Sequence, residues 1–230
     1  MSTAPLTIVI PALDAAETLK DTLDSVEEGR AAGLLGEVLV ADGGSGDGTE
    51  ALACAAGAKV LKAERGRGPQ LAAGGTAAKG PWLLFLHADS RPAPGWAQSV
   101  REFIEAPGAE ARAGWFRLQL DDPGPGARRI ERLANWRARR LGLPYGDQGL
   151  LISRSLYDQL GGYQPLPLME DVALVRRIGR ARLHALPATI TTSARRYRRD
   201  GLWWRPTRNV LLVTGYFLGV PARLLARCYR

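Results

Sequence analysis

Residues 37–49 read Glu37-Val38-Leu39-Val40-Ala41-Asp42-Gly43-Gly44-Ser45-Gly46-Asp47-Gly48-Thr49: an apolar run, a carboxylate, a glycine-rich turn and a residue able to cap a helix. A strand that ends in an acid and turns through glycines into a helix is one βα step of a layered α/β sheet. The flanking residues repeat the step. Upstream, Thr7–Ile10 is a β-branched run stopped by Pro11, and residues 16–28 place Leu19, Leu23 and Val26 on one helical face. Downstream, the pattern predicts a helix over Thr49–Ala56, a strand over Lys59–Leu61, a helix over Gln70–Ala78 and a strand over Trp82–Leu86. Together these predict a doubly wound, Rossmann-like fold with a mostly parallel sheet flanked by helices. Ligands of such sheets sit beyond the carboxyl ends of the strands, which directs attention to Asp14, Asp42, Glu64–Arg67 and His87–Ser90.

The 230 residues are 46% apolar, enough for a compact core and too apolar for disorder as the main state. Cys54 and Cys228 stand far apart with no Cys/His cluster near them, which excludes a disulfide scaffold or a zinc-finger site and predicts a reducing, cytoplasmic setting. No basic segment precedes the short apolar run at the start, so no signal peptide is expected. Charge is divided unevenly: residues 1–110 carry a net −6 and residues 111–230 a net +14, with 13 Arg and a single acid, Asp200, after residue 175. Such a bias predicts an anionic partner, phospholipid headgroups or a phosphorylated ligand, whereas no motif supports nucleic acid. Past Pro92 the pattern gives a basic helix over Ala127–Arg140 and helical stretches within 155–180 around the loop Gly161–Met169. Residues 201–230 read as a helical extension of a catalytic domain over 1–200. It contains Trp203, Trp204 and the uncharged run Val210–Val220, shorter than the ~20 residues that span a bilayer. This segment is either a helix packed on the core with a solvated basic face, or an interfacial element on the inner face of the cell membrane.

Three constellations carry chemistry. Asp42 and its glycines admit a carboxylate that reads a nucleotide base or ribose, or a tight turn with a capped helix. They also admit, with Glu64 holding ribose hydroxyls, a dinucleotide- or S-adenosylmethionine-type fingerprint, although that fingerprint belongs after the first strand of a fold and here a strand and helix precede it. The second is His87-Ala88-Asp89, which puts imidazole and carboxylate on one side of an extended chain. That pair suits a magnesium or manganese ion bridging diphosphate oxygens, or, for His87 alone, a satisfied strand-end histidine. The third is Met169-Glu170-Asp171, two acids opening a helix, favoured there by the macrodipole and also suited to taking a proton from an attacking hydroxyl. Asp147-Gln148-Gly149 is a polar turn or an acceptor contact.

In this order the motifs resemble the family-2 glycosyltransferases, which have the GT-A nucleotide-sugar-binding fold, over about residues 6–180. The sequence is similar especially to the bacterial arsenosugar-biosynthesis-type subgroup, whose members carry His-Ala-Asp, Gly-Asp-Gln-Gly and Met-Glu-Asp. The resemblance implies inverting transfer of a sugar from a nucleotide-diphosphate donor to an acceptor hydroxyl. It places Pro11, Asp14 and Asp42 around the nucleotide with Asp42 at the base, Arg67 at the diphosphate, Asp89 as the last acid of the Asp-x-Asp metal motif, and Asp171 as base oriented by Glu170. Arg195 or Arg196 would assist at the diphosphate. Three features depart from the pattern. His87 replaces the first acid of the metal motif, Asp14-Ala15 replaces Asn-Glu, and no Gln-x-x-Arg-Trp of processive synthases is present. Two alternatives stand beside this reading: a methyltransferase built on Asp42 and Glu64, and a non-catalytic nucleotide- or lipid-binding module. The transferase reading requires Asp42, Asp89 and Asp171 to converge on one cleft.

Overall fold

The computed structural model describes residues 4–195, 201 and 204–229. Its strands are β1 (Leu6–Ala12), β2 (Leu35–Asp42), β3 (Lys59–Lys62), β4 (Trp82–Phe85), β5 (Ser90–Pro92), β6 (Ala113–Leu120), β7 (Leu150–Ser153) and β8 (Leu183–Thr192). The helices are α1 (Ala16–Ala31), α2 (Thr49–Ala55), α3 (Arg67–Ala77), α4 (Trp96–Glu105), α5 (Pro125–Leu141), α6 (Arg154–Gln159), α7 (Glu170–Ile178), α8 (Trp204–Phe217) and α9 (Ala222–Tyr229). All eight strands form one sheet in the order β3-β2-β1-β4-β7-β6-β8-β5. The half read from the opening motifs, β3-β2-β1-β4, is parallel throughout. Beyond β4 the sheet is mixed: β7 runs antiparallel to both β4 and β6, β8 runs parallel to β6, and β5 runs antiparallel to β8. The antiparallel strands are short or late in the chain and lack the βα spacing that made the first half legible.

The alternation of the parallel strands sorts the core onto two faces. Ile8, Ile10, Val38, Val40 and Leu84 pack with Leu19, Leu23 and Val26 of α1 and Trp96 and Val100 of α4. Val9, Leu39, Leu83 and Phe85 face the other way, toward Leu71 of α3, Tyr157 of α6 and Leu174 of α7. Period-two strands between two helix layers are what the doubly wound reading requires. β1 lies between β2 and β4, so the connections leave it in opposite directions and open a crevice at the carboxyl ends of β1 and β4.

α5 solves a hydrogen-bonding problem. β7 pairs with β6 only at Ala113 and Gly114, leaving that edge of β6 open further along. Asn135 of α5 bonds both the N–H (2.9 Å) and the carbonyl (3.0 Å) of Leu118, and buried Glu131 accepts the N–H of Leu120 (2.8 Å). After β8, α8 and α9 fold back on the start of α7: Leu212 and Leu225 form a small core with Met169 and Val172. Among the described residues no helix is long and apolar enough to cross a membrane.

Candidate active site

Pro11 to Ala15, at the end of β1, and His87 to Asp89, after β4, line a cleft of about 1140 Å³ together with Glu64 to Arg67, Arg195 and Arg223. An inner chamber adjoins it, lined by Asp147, Glu170, Asp171 and Tyr145; Arg67, His87, Asp89 and Tyr229 border both spaces. The switch point therefore gathers the strand-end His-x-Asp and the helix-opening Glu-Asp in one place, across more than eighty residues of sequence.

Asp42 does not line either space, so of the three acids that the transferase reading brings to one cleft the structure gathers two, Asp89 and Asp171. The Asp42 carboxylate accepts the N–H groups of Gly44 (2.8 Å) and Ser45 (2.9 Å) and the Ser45 hydroxyl, and it is buried beneath the turn. Burial pushes its pKa up, but these bonds outweigh it and hold the group below the usual carboxylate value. The Asp42 carboxylate, expected at the nucleotide base, is here engaged by the turn and does not line the cleft. Ser45 passes the constraint on: its hydroxyl accepts the Asp14 N–H (2.9 Å), and the Gly46 N–H returns a bond to the Asp14 carboxylate (2.9 Å), fixing Asp14 at φ 47° on the cleft wall. Asp47 and Thr49 complete the latch by accepting the N–H groups of Ala16 and Ala15, each at 2.9 Å. Gln70, which the sequence gave no reason to single out, is buried and donates to the carbonyls of Ala12 and Ala41, holding the ends of β1 and β2 together.

Gln148 also departs from expectation. It is fully buried, its amide N–H₂ reaching the Phe116 carbonyl and Asn135 and its oxygen accepting from Tyr145 and Arg137. It does not line the chamber, and its amide instead ties the turn that presents Asp147 to β6 and α5. Asp147 does reach the chamber, and its buried Oδ1 meets no donor among the described residues. Burial raises its pKa, opposed by Arg137.

Asp171 opens α7 at its positive dipole end, accepting the Gly146 N–H at 2.9 Å and the Val172 N–H at 2.7 Å. Those two bonds aim the carboxylate and leave it further lone pairs. The same Gly146 lies against His87: a Cβ there would come within 2.5 Å of the imidazole Nε2. Neighbouring Glu170 is buried, 3.6 Å from the Arg67 guanidinium. Burial first, and the Asp171 charge second, push the Glu170 pKa up to about 7 against the pull of Arg67. Arg67 in turn keeps its charge: burial works against it, but Glu170, Asp171 and Asp89 together raise its pKa. Met169, which precedes the two acids, adopts φ 66°, a conformation costly for a residue with a side chain, and Leu212 and Leu225 of the C-terminal hairpin pack against it.

Among the described residues no three His, Cys, Asp or Glu side chains gather as a protein-only metal cage. What the chain offers is His87 and Asp89. Magnesium-type ions held by one or two protein ligands complete their shell with phosphate oxygens and water, and the donor set fits that arrangement. Arg195 lines the cleft paired with Glu17, while Arg196 and Trp203 lie outside the described residues. The sequence had no signal for Tyr229, Asn209 and Leu212, which line the chamber from α8 and α9.

Comparison with known proteins places these features. The chain is 31% identical over 135 residues to glucosyl-3-phosphoglycerate synthase of Mycolicibacterium paratuberculosis, a match covering 53% of this chain and 41% of that protein. Among solved structures, glucosyl-3-phosphoglycerate synthase from Mycobacterium tuberculosis with Mn2+ and UDP-glucose superposes with a TM-score of 0.59 at 22% identity, covering 82% of this chain and 69% of the other. Mannosyl-3-phosphoglycerate synthase from Rubrobacter xylanophilus gives 0.55 at 18% identity, covering 86% and 75%. The family model for glycosyl transferase family 2 matches residues 7–162, two thirds of the chain, and the protein belongs to that family.

Proposed function

We propose that the protein moves a sugar from a nucleotide-diphosphate donor to an acceptor hydroxyl with inversion at the anomeric carbon. The observation that carries this reading is the meeting of Asp171, Arg67 and Asp89 at one chamber that opens into a nucleotide-sized cleft. Pro11, Asp14 and Glu64 line the cleft where the nucleotide would lie, and Arg67 stands where the cleft meets the chamber, as a diphosphate contact should. The acceptor oxygen forms its bond to the anomeric carbon as the sugar–phosphate bond breaks. The electron pair leaves with the diphosphate, facing Arg67, and the acceptor proton passes to Asp171. Glu170 positions Arg67, and Asp147 supplies a buried oxygen for a hydroxyl of sugar or acceptor. A divalent ion, magnesium or manganese, would be held by Asp89 with His87 and would add Lewis-acid neutralisation of the leaving diphosphate.

Support for donor and ion comes from the relatives, whose structures hold UDP-glucose and Mn2+. One relative also binds phosphoglyceric acid, and here Arg195 and Arg223 line the outer cleft, which favours an anionic acceptor. The lipid-like acceptor and the peripheral placement on the cytoplasmic face of the membrane belong to this proposal and are supported by the arginine-rich C-terminal half. The narrower likeness to the arsenosugar-biosynthesis-type subgroup rests on the His-Ala-Asp, Gly-Asp-Gln-Gly and Met-Glu-Asp motifs.

Calorimetry and donor-hydrolysis assays with UDP-, GDP- and dTDP-sugars, with and without manganese, test the reading. Ion-enhanced binding of one donor with release of its nucleoside diphosphate is expected. Binding of S-adenosylmethionine in its place, or nucleotide binding with neither hydrolysis nor transfer, would overturn it.

A further inference from the structure

α5 turns one face inward and the opposite face to solvent. Ala127, Ile130, Glu131, Ala134 and Ala138 are buried on the inner side. On the outer side Leu133 is 62% exposed and Trp136 55% exposed, at i and i+3, and the exposed Arg132, Arg139 and Arg140 surround Trp136 at helical spacing. A tryptophan at the centre of an arginine-flanked face is costly in water and suited to the headgroup layer, where the indole is part-buried and the guanidinium groups meet phosphates. The C-terminal hairpin adds a second apolar surface, with Leu211 63% and Leu218 80% exposed. Leu143 and Tyr145, just after α5, pack on the same small core as Leu212 and Leu225.

We propose that the outer face of α5, Trp136 and Leu133 among Arg132, Arg139 and Arg140, docks the protein onto an anionic lipid bilayer, with Leu211 and Leu218 of α8 and its following turn as the second contact. The inference deepens the peripheral placement proposed above and rests on it. Charge complementarity selects this occupant: residues 111–230 carry a net +14, and both apolar surfaces belong to that half. Bulky aliphatic side chains such as Leu133 and Leu218 contribute nothing to gripping a nucleic acid backbone, but they add area that a bilayer can bury. Membrane affinity grows with the apolar area buried and with electrostatic attraction to anionic lipid, and this face supplies both.

The test is co-sedimentation of the full chain with vesicles of phosphatidylcholine alone or with about one third phosphatidylglycerol, at low and high salt. The protein is expected to partition to the anionic vesicles only, with binding weakened by salt. The double variant Trp136→Ser/Leu133→Ser should reduce partitioning by about tenfold, and Leu218→Ser by a smaller factor. Donor hydrolysis in solution should be unchanged in both, which separates loss of docking from loss of fold or of the transferase reading. Wild-type partitioning that the α5 double variant leaves intact would overturn the α5 surface while sparing peripheral placement. No partitioning of the wild type would overturn both. A concentration-dependent dimer that Trp136→Ser dissolves, without vesicle binding, would assign the face to a second copy and overturn the proposal.

Discussion

Glu170 sits 3.6 Å from Arg67 and almost out of reach of water, with its pKa pushed up to about 7 by burial and by Asp171. A carboxyl whose folded pKa lies above its unfolded value binds more protons folded than unfolded. Its contribution to stability is therefore greatest below about pH 4.5 and falls as pH rises toward 7. Glu170→Gln removes that dependence. The stability difference between wild type and variant, read from urea midpoints, should shift in the variant's favour from pH 4.5 to pH 7 and then level off. Asp42 predicts the opposite kind of result from a site acid. Replacing it by Ala removes the charged acceptor of the Gly44 and Ser45 N–H groups, so Asp42→Ala should cost about 1–3 kcal/mol of stability. Asp89→Asn should leave stability nearly intact and weaken ion-dependent donor binding, as paired denaturation and calorimetry would show. The sequence displayed both acids at strand ends and could not separate them. Which one faces the cleft depends on the backbone path through Gly44 and Ser45, and on Asp14 being held by that same turn.

At the scale of elements, two arrangements carry more than their sequences announce. α5 was legible as a basic helix, but its Asn135 and Glu131 serve as surrogate strand partners for β6 where β7 stops. Asn135→Ala leaves the Leu118 groups without that partner and should destabilise the fold by about 1–3 kcal/mol in chemical denaturation. β6 and β8 escaped sequence reading because their pairing joins residues some seventy apart with no βα rhythm to mark them. The hairpin of α8 and α9 acts through Leu212, which packs on Met169 and Val172 at the start of α7. Leu212→Ala should cost about 2–5 kcal/mol. Because Met169 holds a strained φ directly before Glu170 and Asp171, turnover should fall as well, by more than donor affinity does. Denaturation midpoints and steady-state kinetics on one preparation would read both effects.

On the scale of the whole molecule, the parallel half β3-β2-β1-β4 sets the position of the cleft, and the mixed half brings the chemistry to it. Asp89 comes from the first half; Asp147 and Asp171 arrive from the second, and the hairpin closes the far wall. The strand-end residues that line the cleft could be picked out from sequence because hydrophobic runs mark where β1 and β4 stop, whereas the strand order that makes a switch point beside β1 came from the structure. The roles of Tyr229, Gln70 and Gln148 could not be picked out, since they depend on contacts between segments with no shared local pattern. On the proposed function, turnover depends on Asp171, while donor binding depends on the cleft at the ends of β1 and β4. The direct test is a comparison of wild type and Asp171→Asn, with donor affinity and single-turnover transfer measured on the same nucleotide sugar. Donor affinity within about threefold and transfer reduced by at least ~100-fold is the predicted result; transfer by Asp171→Asn at close to the wild-type rate would contradict it.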